Sequence, residues 1–191
     1  MEKKHAIDIW AEVTPNPHTL KFNVSKELLT SGSVNFPDKE KAKGHLLAEE
    51  LFGIENVLGV MVGPSFITVT KAPAVDWSQL AEPVSKKIRE LLESGKVLFS
   101  QEARSAHAET PEAGGNGDIE RRVREILDTE IRPAVAMDGG DIIFHGYKDG
   151  VVTLHLQGAC MSCPSSILTL KMGVENRLKS LIPEIKEVVQ V

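Results

Sequence analysis

DGGDIIFHGYKDGVVTLHLQGACMSCPSSILTLKMGVENRL, residues 138–178, carries the reading of the fold and of the chemistry. It opens on Asp138-Gly139-Gly140-Asp141, a turn signal. Alternating runs follow at 142–147 and 151–157, joined by Lys148-Asp149-Gly150. Asp-Gly between two alternating runs is a strong hairpin cue. The hairpin leads into Gly158-Ala159-Cys160-Met161-Ser162-Cys163-Pro164. Proline is favoured at the first helical position, so Cys160 and Cys163 lie just ahead of a helix. Ile167, Leu170, Val174, Leu178 and Leu181 mark the apolar stripe of that helix. The N–H groups at a helix start favour negative charge, and both thiols ionise more readily there than a free cysteine does.

Working outward, Asp118 is a candidate N-cap for a helix bearing Ile119, Val123, Ile126 and Leu127, interrupted at Pro133. Pro183 ends the long helix, and 185–191 reads as a last strand. The order is α-β-β-α-β over residues 118–191, only about 74 residues, so its core is modest. Residues 100–117, SQEARSAHAETPEAGGNG, lack Val, Ile, Leu and Phe and read as a flexible linker. Residues 1–99 form a second unit. Ile7, Ile9, Ala11 and Val13 alternate, and Leu20, Phe22 and Val24 alternate again after a Pro-rich turn. Asp38 is a helix cap, with that helix running through Phe52 to a stop at Gly53. A hairpin at 57–62 and 66–70 turns at Gly63-Pro64-Ser65. Trp77, Leu80, Val84, Ile88 and Leu91 give an amphipathic helix ended by Gly95. This unit reads β-β-α-β-β-α. The fold class is α+β: two small domains on a flexible linker.

Composition narrows the function. Lys plus Arg number 22 and Asp plus Glu 27, for a formal net charge of -5. An acidic chain with no basic block argues against nucleic-acid binding. No apolar run reaches the ~18 residues of a membrane span. No signal or transit segment is evident behind MEKKHAIDIW, so the chain reads as soluble and unexported. The cysteines number two, and at this spacing they suit metal binding or redox chemistry in a reducing compartment. Three chemistries use it: an iron–sulfur cluster, a zinc ion and a reversible disulfide. A cluster usually takes four thiolates, and structural zinc takes four ligands. His145 and His155 read as solvent-facing strand residues, and no His-x3-His spacing accompanies the pair. A metal site in this chain most simply needs two copies, their loops facing across a two-fold axis.

Residues 138–178 resemble the NifU-like C-terminal domain of Nfu-type iron–sulfur carriers. The DGGD turn, the hairpin, the GACxxCPSS loop and the TLKxGVE helix match in order, and the likeness continues through IPEIKEVVQV. TPNPHTLKF (14–22) and GVMVGPSFITVTK (59–71) resemble the Nfu N-terminal domain. The resemblance implies a scaffold or carrier, not an enzyme. It would hold a [4Fe-4S] cluster between two chains through Cys160 and Cys163 and pass it to apoproteins by ligand exchange at an exposed loop. Its partners would be a second copy, a cluster donor and recipient apo iron–sulfur proteins. The alternatives are a CxxC dithiol-disulfide oxidoreductase and a zinc-bridged dimer. The expected compartment is a bacterial cytoplasm, or the mitochondrial matrix if a transit peptide has been removed. The N-terminal domain has no cysteine and no phosphate loop, so its expected work is interaction. Asp138 and Asp141 are expected as turn caps, Met161 as an exposed spacer, and Ser165 and Ser166 as partners of free N–H groups in the first helical turn.

Overall fold

The computed structural model describes residues 7–99, 117–161 and 164–191; of residues 164–170 it describes the backbone alone. The fold is α+β, with two sheets and two apolar cores. The first sheet holds β1 (Ile9–Val13), β2 (Thr19–Val24), β3 (Val34–Phe36), β4 (Val57–Val62) and β5 (Phe66–Lys71). Its order is β1-β2-β5-β4-β3, antiparallel throughout. Strand side chains alternate between faces. One face carries Leu20, Phe22, Ile67, Val69, Val60 and Val62, which pack on α2 (Leu46–Phe52) and α3 (Trp77–Glu93). Leu80, Val84, Ile88 and Leu91 of α3 are buried there, at the spacing the sequence predicts.

Two expectations for this unit need correction. β3 is a strand the pattern does not reveal: three residues are too few for a period to show. The helix expected from Asp38 to Phe52 is two, α1 (Lys39–Ala42) and α2. Asp38 caps α1 by accepting from the Lys41 N–H. Gly44 then takes a positive φ of 83°, a conformation that breaks the helix and that glycine adopts cheaply.

The second sheet holds β6 (Gly140–Lys148), β7 (Val151–Gly158) and β8 (Glu187–Gln190). β6 and β7 pair antiparallel, and β8 pairs parallel to β7. The Asp149-Gly150 turn has positive φ at both residues (53° and 92°), as a tight two-residue hairpin requires. Ile142, Phe144, Val152, Leu154, Leu156 and Val188 bury one face under α4 (Gly117–Ile126), α5 (Arg132–Met137) and α6 (Pro164–Leu181). α4 runs through a π-helical turn, Leu127–Ile131, into α5. Pro133 therefore lies in the first turn of a new helix, where its missing N–H costs little. α4 begins at Gly117, so Asp118 sits inside its first turn and is not the cap. The rest of the expected linker lies outside the described residues.

Candidate functional site: the Cys160 loop

Gly158 ends β7 with a positive φ of 63°, and Ala159–Met161 makes one 3₁₀ turn before α6 begins at Pro164. The turn brings Cys160 back under the end of the hairpin. A Cβ on Gly140 would lie 2.4 Å from the Cys160 Sγ, so only glycine fits there. The second glycine of DGGD is thus a seat for the thiol, a role beyond turn-making. Met161 is exposed, as expected of a spacer between the cysteines. Cys163 lies outside the described residues, as do the side chains of Ser165 and Ser166.

Cys160 itself is 5% exposed and packs with the C-terminal core. This corrects the expectation of an open loop with few enclosing residues. The expectation treats the CxxC stretch as a local feature. Its burial comes from residues far away in sequence, the Gly140 seat on β6 and the C-terminal core.

Asp141 is also placed differently from the reading. It is a buried strand residue, paired with Gln157, not a turn cap. Arg132 forks onto it: Nε donates to Oδ1 and Nη2 to Oδ2, both at 2.9 Å. The Ile142 N–H adds a third bond at 2.8 Å. Such a bidentate pair fixes both partners. The Asp141 hydrogen bond is the first reason that the Arg132 proton is held even more firmly than usual. Asp138 closes α5, and Gly139 follows with a φ of 75°. His155 is half-buried, its Nδ1 2.8 Å from the Val191 carbonyl oxygen, and His145 is exposed. Among the described residues, no three His, Cys, Asp or Glu side chains converge as a metal site.

The N-terminal domain reaches this loop. Asn16 Nδ2 donates to the Ala159 carbonyl at 3.0 Å, directly before Cys160. Thr68 Oγ1 donates to the Gly139 carbonyl at 2.7 Å, and Lys21 Nζ to the Met137 carbonyl at 3.3 Å. Ser33 Oγ donates to Asp141 Oδ2. Sequence reasoning places TPNPHTLKF in a turn and a strand and misses this role. Asn16 and Ser33 lie in the turns before β2 and β3, and Lys21 and Thr68 on the sheet face turned away from the helices, where no apolar period marks them.

Two family models match. Residues 9–95 fit "Scaffold protein Nfu/NifU N terminal", and residues 123–189 fit "NifU-like domain". The chain belongs to the Nfu family. It is 44% identical over 184 residues to the human protein named "NFU1 iron-sulfur cluster scaffold homolog, mitochondrial", covering 96% of this chain and 71% of that one. It is 42% identical to the Drosophila ananassae protein of the same name, covering 96% of this chain and 64% of that one. The chain therefore spans about two thirds of the length of these curated relatives. A solution structure of a NifU-like protein from Saccharomyces cerevisiae is 25% identical, with a TM-score of 0.45, over 53% of this chain and 91% of that one.

Proposed function

We propose that this Nfu-family chain is an iron–sulfur cluster scaffold and carrier. Cys160 and Cys163 of two chains hold one [4Fe-4S] cluster between them, and the cluster passes to recipient apoproteins by ligand exchange. The observation that carries the reading is the seat of Cys160: a thiol placed against Gly140 on a turn just ahead of the α6 N-terminus. That placement fixes one thiol of the CxxC pair at a defined point beside the start of α6, and the thiolate is the form that binds iron. The names of the human and fly relatives support the scaffold role, and their mitochondrial location supports the matrix alternative over a bacterial cytoplasm.

Ligand counting supplies the rest. A [4Fe-4S] cluster takes four thiolates, and the chain has two cysteines. The second pair comes from a second copy. Transfer needs no catalyst and no net redox step. Each recipient thiolate forms an Fe–S bond as one carrier thiolate leaves, and the iron and sulfide keep their oxidation states throughout. The carrier cysteines regain a proton or await the next cluster.

Anaerobic reconstitution with iron and sulfide, read by native mass spectrometry, tests this. The expected species is a dimer with four irons and four sulfides, absent in Cys160→Ser and in Cys163→Ser. A metal-free monomer that cycles between dithiol and disulfide would replace the carrier with an oxidoreductase. A dimer that takes one zinc and no iron or sulfide would make the site structural.

A further inference from the structure

The five-stranded sheet has a second face, and the C-terminal domain lies across it. Glu12, Lys21, Thr68, Met61 and Asn35 form one cross-strand row on that face, on β1, β2, β5, β4 and β3 in turn. Helices cover the opposite face, so an antiparallel sheet of this kind would normally leave the row in water. Here Lys21 is 8% exposed, and Thr68 and Met61 are each 1% exposed. None of the three belongs to the N-terminal apolar core. Their burial comes from the second domain.

The contact falls on the ground around the thiol. Thr68 bonds the Gly139 carbonyl and Asn16 the Ala159 carbonyl, the residues that precede Gly140 and Cys160. A Cβ on Gly158 would come within 2.7 Å of the Met61 Sδ, and one on Gly139 within 3.0 Å of the Thr68 Oγ1. These glycines let the backbone of the loop lie directly on the sheet. The C-terminal domain therefore presents bare backbone to the sheet at Gly158-Ala159, just before Cys160, and at Gly139, just before its Gly140 seat.

The same contact is built to come apart. Lys21, Thr68 and Asn16 each donate to a backbone carbonyl, and water replaces such bonds at small net cost. Lys21 keeps Glu12 at 3.6 Å and the Phe66 ring at 5.0 Å, partners from its own domain that survive separation. A cleft of about 300 Å³ between Ser33, Phe66, Arg132 and Asp141 leaves the junction incompletely filled. Polar, part-filled junctions between domains are the releasable kind.

We propose that the five-stranded sheet is a removable cap on the Cys160 loop, and that the capped chain and the two-chain cluster site exclude each other. The proposal rests on the shared-cluster reading above. Two loops meeting across a two-fold axis need the ground beside Cys160 that Asn16, Met61 and Thr68 occupy. Cluster assembly then includes an opening step in each chain. A dimer that forms only from opened chains has its apparent affinity reduced by the opened fraction of each. The N-terminal domain, which lacks cysteine, thereby sets when the site is available.

The test uses the full chain and the double variant Asn16→Ala/Thr68→Val. Small-angle scattering of the metal-free proteins reads the cap: wild type is expected to be compact and the variant longer. The dissociation constant of the cluster-loaded dimer reads the exclusion: it is expected to tighten by about tenfold or more in the variant. Hydrogen exchange in β5 and α3 reports whether the N-terminal core is intact; if it is not, Ser33→Ala carries the same measurements. A compact variant, or an opened variant with an unchanged dimer constant, overturns the cap. An opened variant in which neither protein forms a cluster-bearing dimer overturns the exclusion through the shared-cluster reading itself, and the scattering result shows which of the two has failed.

Discussion

Leu20 and Lys21 are neighbours on β2 and face opposite ways. Leu20 joins Val69 across the strand pair and packs under the helices. Lys21 joins Thr68 and reaches the Met137 carbonyl at the end of α5, beside the Gly139-Gly140 turn. Both positions are buried, yet by different means. The first is buried by apolar area, which is removed from water at roughly 25 cal/mol per Å² and makes a permanent core. The second is covered through the packing of Met61 on Gly158 and a handful of hydrogen bonds whose net worth is about 1 kcal/mol each. One sheet thus serves as the wall of a domain on one side and as a detachable surface on the other.

Substitutions on the two faces should separate sharply. Ile67 is fully buried on the helix face. Ile67→Ala should cost about 2–5 kcal/mol of N-terminal domain stability in urea unfolding. A loss under 1 kcal/mol would mean that this face is no tighter than the other.

Gly140→Ala comes next. Its Cβ would fall 2.4 Å from the Cys160 Sγ. Overpacking of this kind costs about 1–3 kcal/mol, here in the C-terminal domain, and reconstituted cluster content should fall with it. Unchanged cluster content at wild-type stability would remove Gly140 from the site.

Thr68→Val is nearly isosteric and removes one bond to the Gly139 carbonyl. The N-terminal unfolding free energy should fall by no more than about 1 kcal/mol, far less than for the adjacent Ile67. An equal loss at the two positions would erase the distinction between the faces.

The smallest effect lies away from both. Lys179, and then the Val188 N–H, hold the Glu175 carboxyl below its ordinary value of 4.5. This ties α6 to β8. A depressed carboxylate contributes stability above its unfolded value and loses it as pH falls through the folded one. Wild type should therefore exceed Glu175→Gln in stability near pH 6, with the gap closing below about pH 4. A gap that is constant with pH would show that the charge plays no part.

How far the sequence shows this arrangement differs between the faces in the same way. Leu20, Phe22, Ile67, Val69 and the α3 stripe announce their side by period, because apolar burial must repeat at the pitch of the element. The Asp149-Gly150 hairpin and the helix start at Pro164 were equally legible, since turn and helix-start chemistry is local. The polar face was not. Asn16 bonds a carbonyl 143 residues away, and a backbone carbonyl has no residue type to recognise. Asp141 was misread for a related reason: beside two glycines it looks like a turn residue, and its true partner Arg132 belongs to a helix nine positions earlier. The split of α1 from α2 at Gly44 was missed because an isolated glycine in a helical pattern is often tolerated.

The claim that two chains share one cluster has a direct test in mixed assemblies. Wild-type chains are reconstituted together with a mass-tagged Cys160→Ser/Cys163→Ser chain, and every species is weighed by native mass spectrometry without oxygen. The account predicts that iron and sulfide, four of each, appear only on dimers of two wild-type chains. Clusters on monomers, or on dimers with one mutant chain, would show that a single chain completes the site, and would contradict it.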